Sequence, residues 1–348
     1  MRATPEHYAA MLDGASSGGY AFPAINVTSS QTLNAALRGF ADANSDGIVQ
    51  ATVGGARYLA GPSGDAAAGA RALAALTAEL AGDLPVVVAL HTDHCPPEHV
   101  DDFLRPLLAA SRERVAGGEG PLFHSHMFDG STLSLDDNLR VSAELLDQCR
   151  ELDVVLEMEC GVVGGEEDGI GGEGSDRERL YTTPQDLLRV AEALGTGERG
   201  RYLLAATFGN VHGLTVEGQV ELRPEILADA QRALAAAHPG ARFDYVFHGS
   251  SGSSPGELRA AVANGVVKVN LDSEAQHAFT RGAAEHLFAH YEGGGKEAYD
   301  PRGWGAAAEA GMAARVATAC EQLGSAGRSI TRSADPGTPA PAATTPHA

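Results

Sequence analysis

No window of this sequence approaches the roughly 18 consecutive apolar residues that a membrane-spanning helix needs. The opening MRATPEHYAAMLDGASSGGY lacks the apolar core of a secretory signal and reads instead as an amphipathic helix. The chain is therefore expected to work in the cytoplasm. Cysteine is scarce. Four thiols are present, Cys95, Cys149, Cys160 and Cys320, with no CxxC pair among them, so reduced side chains are expected. Positive charge is also short. Lys and Arg total 25 against 46 Asp and Glu, for a net charge of −21 and a pI near 4.9. That balance argues against nucleic acid or an anionic membrane as partner. If so acidic a chain binds an anionic substrate, it has to gather its few cations locally.

What the sequence has in quantity is apolar residues, 43% of 348, enough for a large core. They recur as short runs: YAFPAIN (20–26), GIVQAT (47–52), PVVVALH (85–91), PLFHSHMF (121–128), VVLEMEC (154–160), YLLAATF (202–208), FDYVFH (243–248) and GVVKVNL (265–271). Between them lie helical stretches such as QTLNAALRGFADA, AALTAELAG, DNLRVSAELLDQC and PQDLLRVAEALG, the last opened by Thr183 as N-cap and Pro184 at the first helical position. Strands alternating with helices imply a parallel sheet, and eight such units imply an α/β fold of the (β/α)8 TIM-barrel type. A doubly wound open sheet is the alternative, but no GxGxxG follows the first strand. The domain is expected over residues 1–325. Residues 326–348, rich in Pro, Ala and Thr, are expected to be a disordered tail.

Polar residues fall where these strands end. Asp93 and His94 follow the third strand and Asp129 the fourth, and Glu157 and Glu159 close the fifth. Asn210 and His212 follow the sixth, His248 closes the seventh, and Asn270 and Asp272 close the eighth. In a (β/α)8 barrel these ends converge on one face, which carries the active site. Histidines from three strand ends, His94, His212 and His248, suit a divalent transition metal with one open position, zinc first. Glu159 is a candidate fourth or alternate ligand. Each histidine taken singly is more simply a buried structural residue; the joint placement with Asp and Glu is what favours a metal site.

The loop GGEEDGIGGEG (164–174) places Glu166, Glu167 and Asp168 between glycines, so it can close over the site and deliver a carboxylate as general base toward a carbon acid. HGSSGS (248–253) and NLDSE (270–274) are candidate phosphate cradles, with Gly249, Ser251 and Gly252 offering N–H groups and hydroxyls and Ser273 a further hydroxyl. Loops after strands seven and eight are the usual phosphate site of a TIM barrel. Lys296 and Arg302, in KEAYDPRGW, are a second candidate anion site, with surface ion pairing as the simpler account.

With FPAIN, LHTDHC, GGEEDG, FGNVHG, FHGSSGS, GVVKVNLD and YDPRGW in this order, the chain resembles the class II, metal-dependent fructose-bisphosphate aldolases, in particular their longer subgroup, over roughly residues 4–325. The resemblance implies a lyase that reversibly cleaves fructose 1,6-bisphosphate into dihydroxyacetone phosphate and glyceraldehyde 3-phosphate. It implies His94, His212 and His248 as zinc ligands, with Glu159 and Asp129 as contacts for a second or alternate divalent metal. Asp93 then exchanges a proton with the C4 oxygen, and Glu167 moves the proton at C3. Zinc polarises the C2 carbonyl and holds the enediolate, and Asn270 stabilises it. Gly213, Gly249, Ser250, Ser251, Leu271, Asp272 and Ser273 belong to the region around the ketone's phosphate. Asn26, Thr52, Lys296 and Arg302 belong to the far phosphate, with Arg302 donated by a partner subunit, which implies a homodimer or a multiple of it. A monovalent cation, K+ or Na+, near Gly213 and Gly249 is also implied.

Three departures bear on specificity. Thr52 stands where the family usually has Ser, followed by Val53 in place of a polar or small residue. Ser250 stands where a second Gly is usual, and the stretch before Tyr299 is shortened to EGGGKEA. A related aldolase using another phosphorylated ketose or aldehyde is therefore the first alternative. A metal-dependent hydrolase on the same barrel is a remote one, since AFPAINV lacks the HxH pair usual on a first strand of that kind. A non-catalytic binding protein is disfavoured by the full set of Asp93, the three histidines and Glu167.

Overall fold

The computed structural model describes residues 1–161, 180–210, 221–293, 295–296 and 299–331, and the backbone of 166–167 and 170–171. The apolar runs become strands β1 (Phe22–Asn26), β2 (Gly47–Ala51), β3 (Val88–Thr92), β4 (Ser125–Phe128), β5 (Val155–Cys160), β6 (Tyr202–Ala206), β7 (Tyr245–Phe247) and β8 (Val266–Leu271). Each pairs in parallel with its neighbours, and β1 pairs with β8, for example Ala24 with Asn270, which closes the barrel. The TIM-barrel expectation holds. The largest late starts are those of β3 and β4, where N–H groups ahead of the strand are bonded elsewhere. Val87 N donates to the Asp46 carboxylate at 2.7 Å, and Leu122 N donates to Ser111 Oγ at 3.0 Å.

The helices in chain order are α1 (Pro5–Gly18), α2 (Ser30–Ala43), α3 (Val53–Leu59), α4 (Ala66–Leu80), α5 (Arg105–Ala116), α6 (Leu135–Arg150), α7 (Pro184–Leu194), α8 (Glu225–Ala237), α9 (Pro255–Ala263), α10 (Ser273–His290) and α11 (Pro301–Gln322). Local chemistry sets their starts. Thr183, the expected N-cap, caps α7 by accepting from Asp186 N at 3.2 Å, while the Asp186 carboxylate accepts from Thr183 N at 3.3 Å in a reciprocal box. Gly69 lets α4 press on α3. A Cβ there would stand 1.8 Å from the Ala56 carbonyl oxygen, so no other residue fits without moving a helix. Among the described residues no helix is long and apolar enough to cross a membrane.

Strand alternation divides the core in two. Outward side chains such as Val49, Leu90, Leu156 and Leu204 pack under the helices. Inward ones from the lower barrel, Phe22, Ile48, Ala89, Val155, Leu203, Val246 and Val267, form a second apolar cluster with Tyr8, Met11 and Leu12 of α1, which plugs the N-terminal mouth. Above that plug the interior turns polar. The register of β8 on β7 shifts between Val266 and Lys268, and Val269 and Leu271 belong to the outer cluster. Lys268 and Asn270 thus face inward.

The segment 326–331, expected within the disordered tail, is bonded to the base of the barrel. Gly327 N donates to Ala43 O, Ile330 N and Ser329 Oγ donate to the buried Asp46 carboxylate, and Thr331 Oγ1 donates to Pro85 O. The rest of that expectation, 332–348, lies outside the described residues.

Candidate active site

Asp93, just past β3, is fully buried, and its carboxylate is surrounded by amides from three strands. Asn26 Nδ2 donates to Oδ2 at 2.9 Å, Gln50 Nε2 to the same oxygen at 3.0 Å, and Asn270 Nδ2 to Oδ1 at 3.0 Å. Gln50 Nε2 also donates to Asn26 Oδ1 at 2.6 Å, which turns the Asn26 amide toward Asp93. Burial opposes ionisation of Asp93. The neighbouring charges of His94, Lys268 and His248 and the Asn26 bond outweigh it and hold the carboxyl below its usual range.

Beside it, the His94 and His248 rings lie 4.7 Å apart between centroids. His94 Nδ1 donates to Asp129 Oδ2 at 2.9 Å. His248 stands between two carboxylates, with Nδ1 on Glu159 Oε2 at 3.1 Å and Nε2 on Glu157 Oε1 at 2.8 Å. Both ring nitrogens then carry protons. Burial works against this, but the two carboxylates prevail and raise the His248 pKa to about 9. Asp129 is likewise held low by His94 against the cost of burial. Among the described residues, three sets bring metal-ligating atoms within 4.8 Å of one another: Asp93, His94 and His248; His94, Asp129 and Glu159; and His91, Asp93 and Glu157. A buried cluster of imidazoles and carboxylates that holds an extra proton on His248 is chemically suited to a divalent cation in that proton's place.

The expected third histidine, His212, and Gly213 lie outside the described residues, and with Gly213 part of the expected cation site. Glu167 lies in a short antiparallel pairing of 166–167 with 170–171, of which only the backbone is described. The β7 loop has Gly249 at φ 61°, a left-handed turn that favours glycine. Ser250 Oγ donates to Asn270 O at 2.7 Å, so this departure ties the loop to the end of β8. Gly252 N donates to Glu274 Oε1 at 2.9 Å, so the N–H expected to meet a phosphate meets a carboxylate. Leu271 ends β8, Asp272 accepts from Gln276 Nε2 at 2.6 Å, and Ser273 opens α10. Ser251 is buried in the same loop. Thr52 Oγ1 accepts from Gly55 N at 2.9 Å as the N-cap of α3.

Lys296 and Arg302 are not gathered into this cluster. Their side chains are 68% and 81% exposed, and both are paired with Asp300. Arg302 grips it with two bonds, Nε to Oδ1 at 3.1 Å and Nη2 to Oδ2 at 2.8 Å, and together with Lys296 pulls the Asp300 pKa down to about 2.

Gln50 and Lys268 escaped the sequence reading, and Glu157 was placed there without a role. Parity was the available signal: Glu157 sits two residues before Glu159 and Lys268 two before Asn270, so each shares an inward face one level deeper. His91, on that level, bonds through Nδ1 to Ser125 Oγ at 2.8 Å, with Nε2 3.6 Å from Glu157 Oε2. Cys95 is buried, and burial raises its pKa, which agrees with an inert packing thiol.

The family model described as fructose-bisphosphate aldolase class-II matches residues 6–328. The chain is 56% identical over 338 residues to a fructose-bisphosphate aldolase of Streptomyces galbus, covering 94% of this chain and 99% of that protein. It is 52% identical over 345 residues to one of Mycobacterium tuberculosis strain H37Rv, covering 94% and 99%. Among solved structures, it superposes with a TM-score of 0.83 on a fructose-bisphosphate aldolase from Campylobacter jejuni, at 32% identity over 94% of this chain and 97% of the other. The YdjI aldolase of Escherichia coli, at 20% identity and a TM-score of 0.68, shares the fold. A closed parallel barrel, a buried carboxylate ringed by amides at its C-terminal mouth and a metal-suited histidine cluster beside it therefore belong to an aldehyde-lyase, and the chain is a member of the metal-dependent class II fructose-bisphosphate aldolase family.

Proposed function

We propose that this chain catalyses the reversible cleavage of fructose 1,6-bisphosphate into dihydroxyacetone phosphate and glyceraldehyde 3-phosphate, with zinc as its metal. The observation that carries this reading is Asp93, kept ionised chiefly by the charges of His94, Lys268 and His248 and fixed in place by amide bonds from Asn26, Gln50 and Asn270. His94, His212 and His248 would hold the metal, and Asp129 and Glu159 would offer a second or alternate position. When bound, the metal supplies Lewis acidity toward the ketone oxygen and offsets negative charge there. Asp93 takes the proton of the C4 hydroxyl, the C3–C4 bond breaks to leave C4 as the aldehyde, and the bonding pair stays with the ketone fragment. Glu167 then delivers a proton to C3. Gly213, Gly249, Ser250, Ser251, Leu271, Asp272 and Ser273 are the proposed groups for the ketone's phosphate. A monovalent cation at Gly213 and Gly249 belongs to the same reading, and glycolysis in the cytoplasm is the setting it implies.

Asn26, Thr52, Lys296 and Arg302 are the proposed groups for the far phosphate. Exposed Arg302 suits donation to a second copy, and Phe288, Tyr291 and Tyr299, exposed at 88%, 74% and 69%, lie in the same part of the chain. A homodimer, or a multiple of it, belongs to the same proposal. A second reading keeps the chemistry but changes the sugar, and it draws on the bond from Ser250 to the end of β8, which alters the phosphate loop. A panel of phosphorylated ketoses and aldehydes, assayed with zinc-loaded protein, separates the two. The first reading expects fructose 1,6-bisphosphate to have the highest kcat/KM. Cleavage orders of magnitude slower than that of another ketose phosphate overturns it in favour of the second.

A further inference from the structure

Lys268 is one of two lysines in the chain, and it is fully buried in the barrel. Its Nζ donates to Asn270 Oδ1 at 2.6 Å and to Glu157 Oε1 at 3.2 Å, and stands 3.0 Å from Glu157 Oε2. The register shift on β8 turns it inward, beneath Asn270. An ammonium so deep in a protein is costly unless it is paired with a carboxylate and hydrogen-bonded, and here Glu157 pairs with it and two of its donors are bonded. Glu157 in turn receives a hydrogen bond from His248. Lys268 is therefore one bond from a metal-suited histidine's carboxylate and one bond from the amide that touches Asp93.

The amide side carries the inference. An ammonium has donors only, so Asn270 has to present its oxygen to Lys268. The amide is planar, which puts Nδ2 on the other side, where it donates to Asp93 Oδ1 at 3.0 Å. Reversing the amide would set N–H against ammonium and oxygen against carboxylate at once. We propose that Lys268 is a positioning residue for carbon–carbon cleavage: it fixes the Asn270 amide so that N–H, and not C=O, faces Asp93. Lys268 makes no contact with the reacting atoms in this account. It acts through Asn270, and a cation is used because a neutral group that both donates and accepts would leave the amide free to turn.

A competing account makes Lys268 only the counter-ion of Glu157. Lys268→Met alone strands a buried carboxylate and is a poor test, since it risks misfolding. The comparison is made in the Glu157→Gln background, where Gln still offers His248 an acceptor and Lys268 has no charge to balance at position 157. The inference rests on the aldolase reading, so cleavage of fructose 1,6-bisphosphate by the unaltered chain is measured first. Failure of that reading shows there, and failure of the inference shows only in the variants.

Adding Lys268→Met to Glu157→Gln is expected to lower kcat by about 10- to 100-fold, the range for losing one charge-assisted orientation. KM is expected to stay within about 3-fold and bound metal to stay unchanged, with folding checked by thermal melting. In the Asn270→Ala, Glu157→Gln background the same Lys268→Met change is expected to alter kcat by less than about 3-fold, because the amide it orients is gone. Equal kcat for Glu157→Gln with and without Lys268→Met overturns the proposal. So does a full loss that persists after Asn270 has become Ala.

Discussion

A buried carboxylate stays ionised only through its surroundings, and Asp93 has amides on both oxygens and no water-exposed edge. The same amides hold it in place for its proposed exchange of a proton with the C4 oxygen. Asp93→Ala is therefore expected to lower cleavage by about 10²–10⁴-fold, the usual worth of a positioned acid or base. Metal content, measured on the purified variant, is expected to match the unaltered chain, since His94, His248, Asp129 and Glu159 remain. Near-normal cleavage would remove Asp93 from the reaction. Glu167→Ala is expected to slow deuterium exchange at C3 of dihydroxyacetone phosphate, followed by NMR, with no loss of metal. Exchange at the unaltered rate would assign that proton to another group. Arg302→Ala is expected to raise KM for fructose 1,6-bisphosphate more than for dihydroxyacetone phosphate, because only the former has the second phosphate that Arg302 is proposed to hold. An equal change for both substrates would contradict that placement.

At the scale of elements, the pairing of β3 with β4 carries a pH dependence. His124, just before β4, uses both ring nitrogens: Leu90 N donates to Nδ1 at 2.8 Å, and Nε2 donates to Ala3 O at 2.9 Å. A second proton would have to displace the Leu90 bond inside a buried site, and burial lowers the His124 pKa from 6.5 to about 3. Between those values the unfolded chain binds the proton and the folded chain does not, so stability is lost as pH falls from about 6.5 toward 3. The urea midpoint of the unaltered chain is expected to drop between pH 7 and 5, and His124→Gln is expected to lessen that slope. An identical slope in the variant would place the titration elsewhere. Gly69→Ala tests a second contact. It is expected to destabilise by roughly 1–3 kcal/mol through overpacking of α3 on α4, read from the same urea curves.

The elements also show what a sequence displays and what it hides. Eight apolar runs with turns between them announce a parallel barrel, because strands buried on both faces have to be apolar nearly throughout. The strand ends announce the site, because polar residues there have few other reasons to follow apolar runs. The second polar level, Gln50, His91, Glu157 and Lys268, is harder to see. These side chains sit inside the runs, and only parity with Glu159 and Asn270 reveals that they point into the barrel. Strand starts are hidden too, since the Asp46 carboxylate and Ser111 hydroxyl that capture N–H groups ahead of β3 and β4 lie 41 and 11 residues from them.

For the whole molecule, a closed sheet serves a reaction that needs groups from distant parts of the chain. Asn26 and Asn270 meet Asp93 because β1 and β8 are neighbours in the ring, and His248 meets Glu157 and Glu159 across its interior. The lower mouth is filled by α1 and latched by the 326–331 segment on Asp46, which leaves the upper mouth for chemistry. This upper mouth is where metal-dependent cleavage of fructose 1,6-bisphosphate is proposed to occur. The most direct measurement is the rate of that cleavage by purified protein before chelation, after EDTA treatment and removal of the chelator, and after addition of zinc or cobalt. Activity is expected to be lost on chelation and to return with the metal. Cleavage that survives complete metal removal, or that borohydride traps as a covalent Schiff base, would contradict that metal dependence.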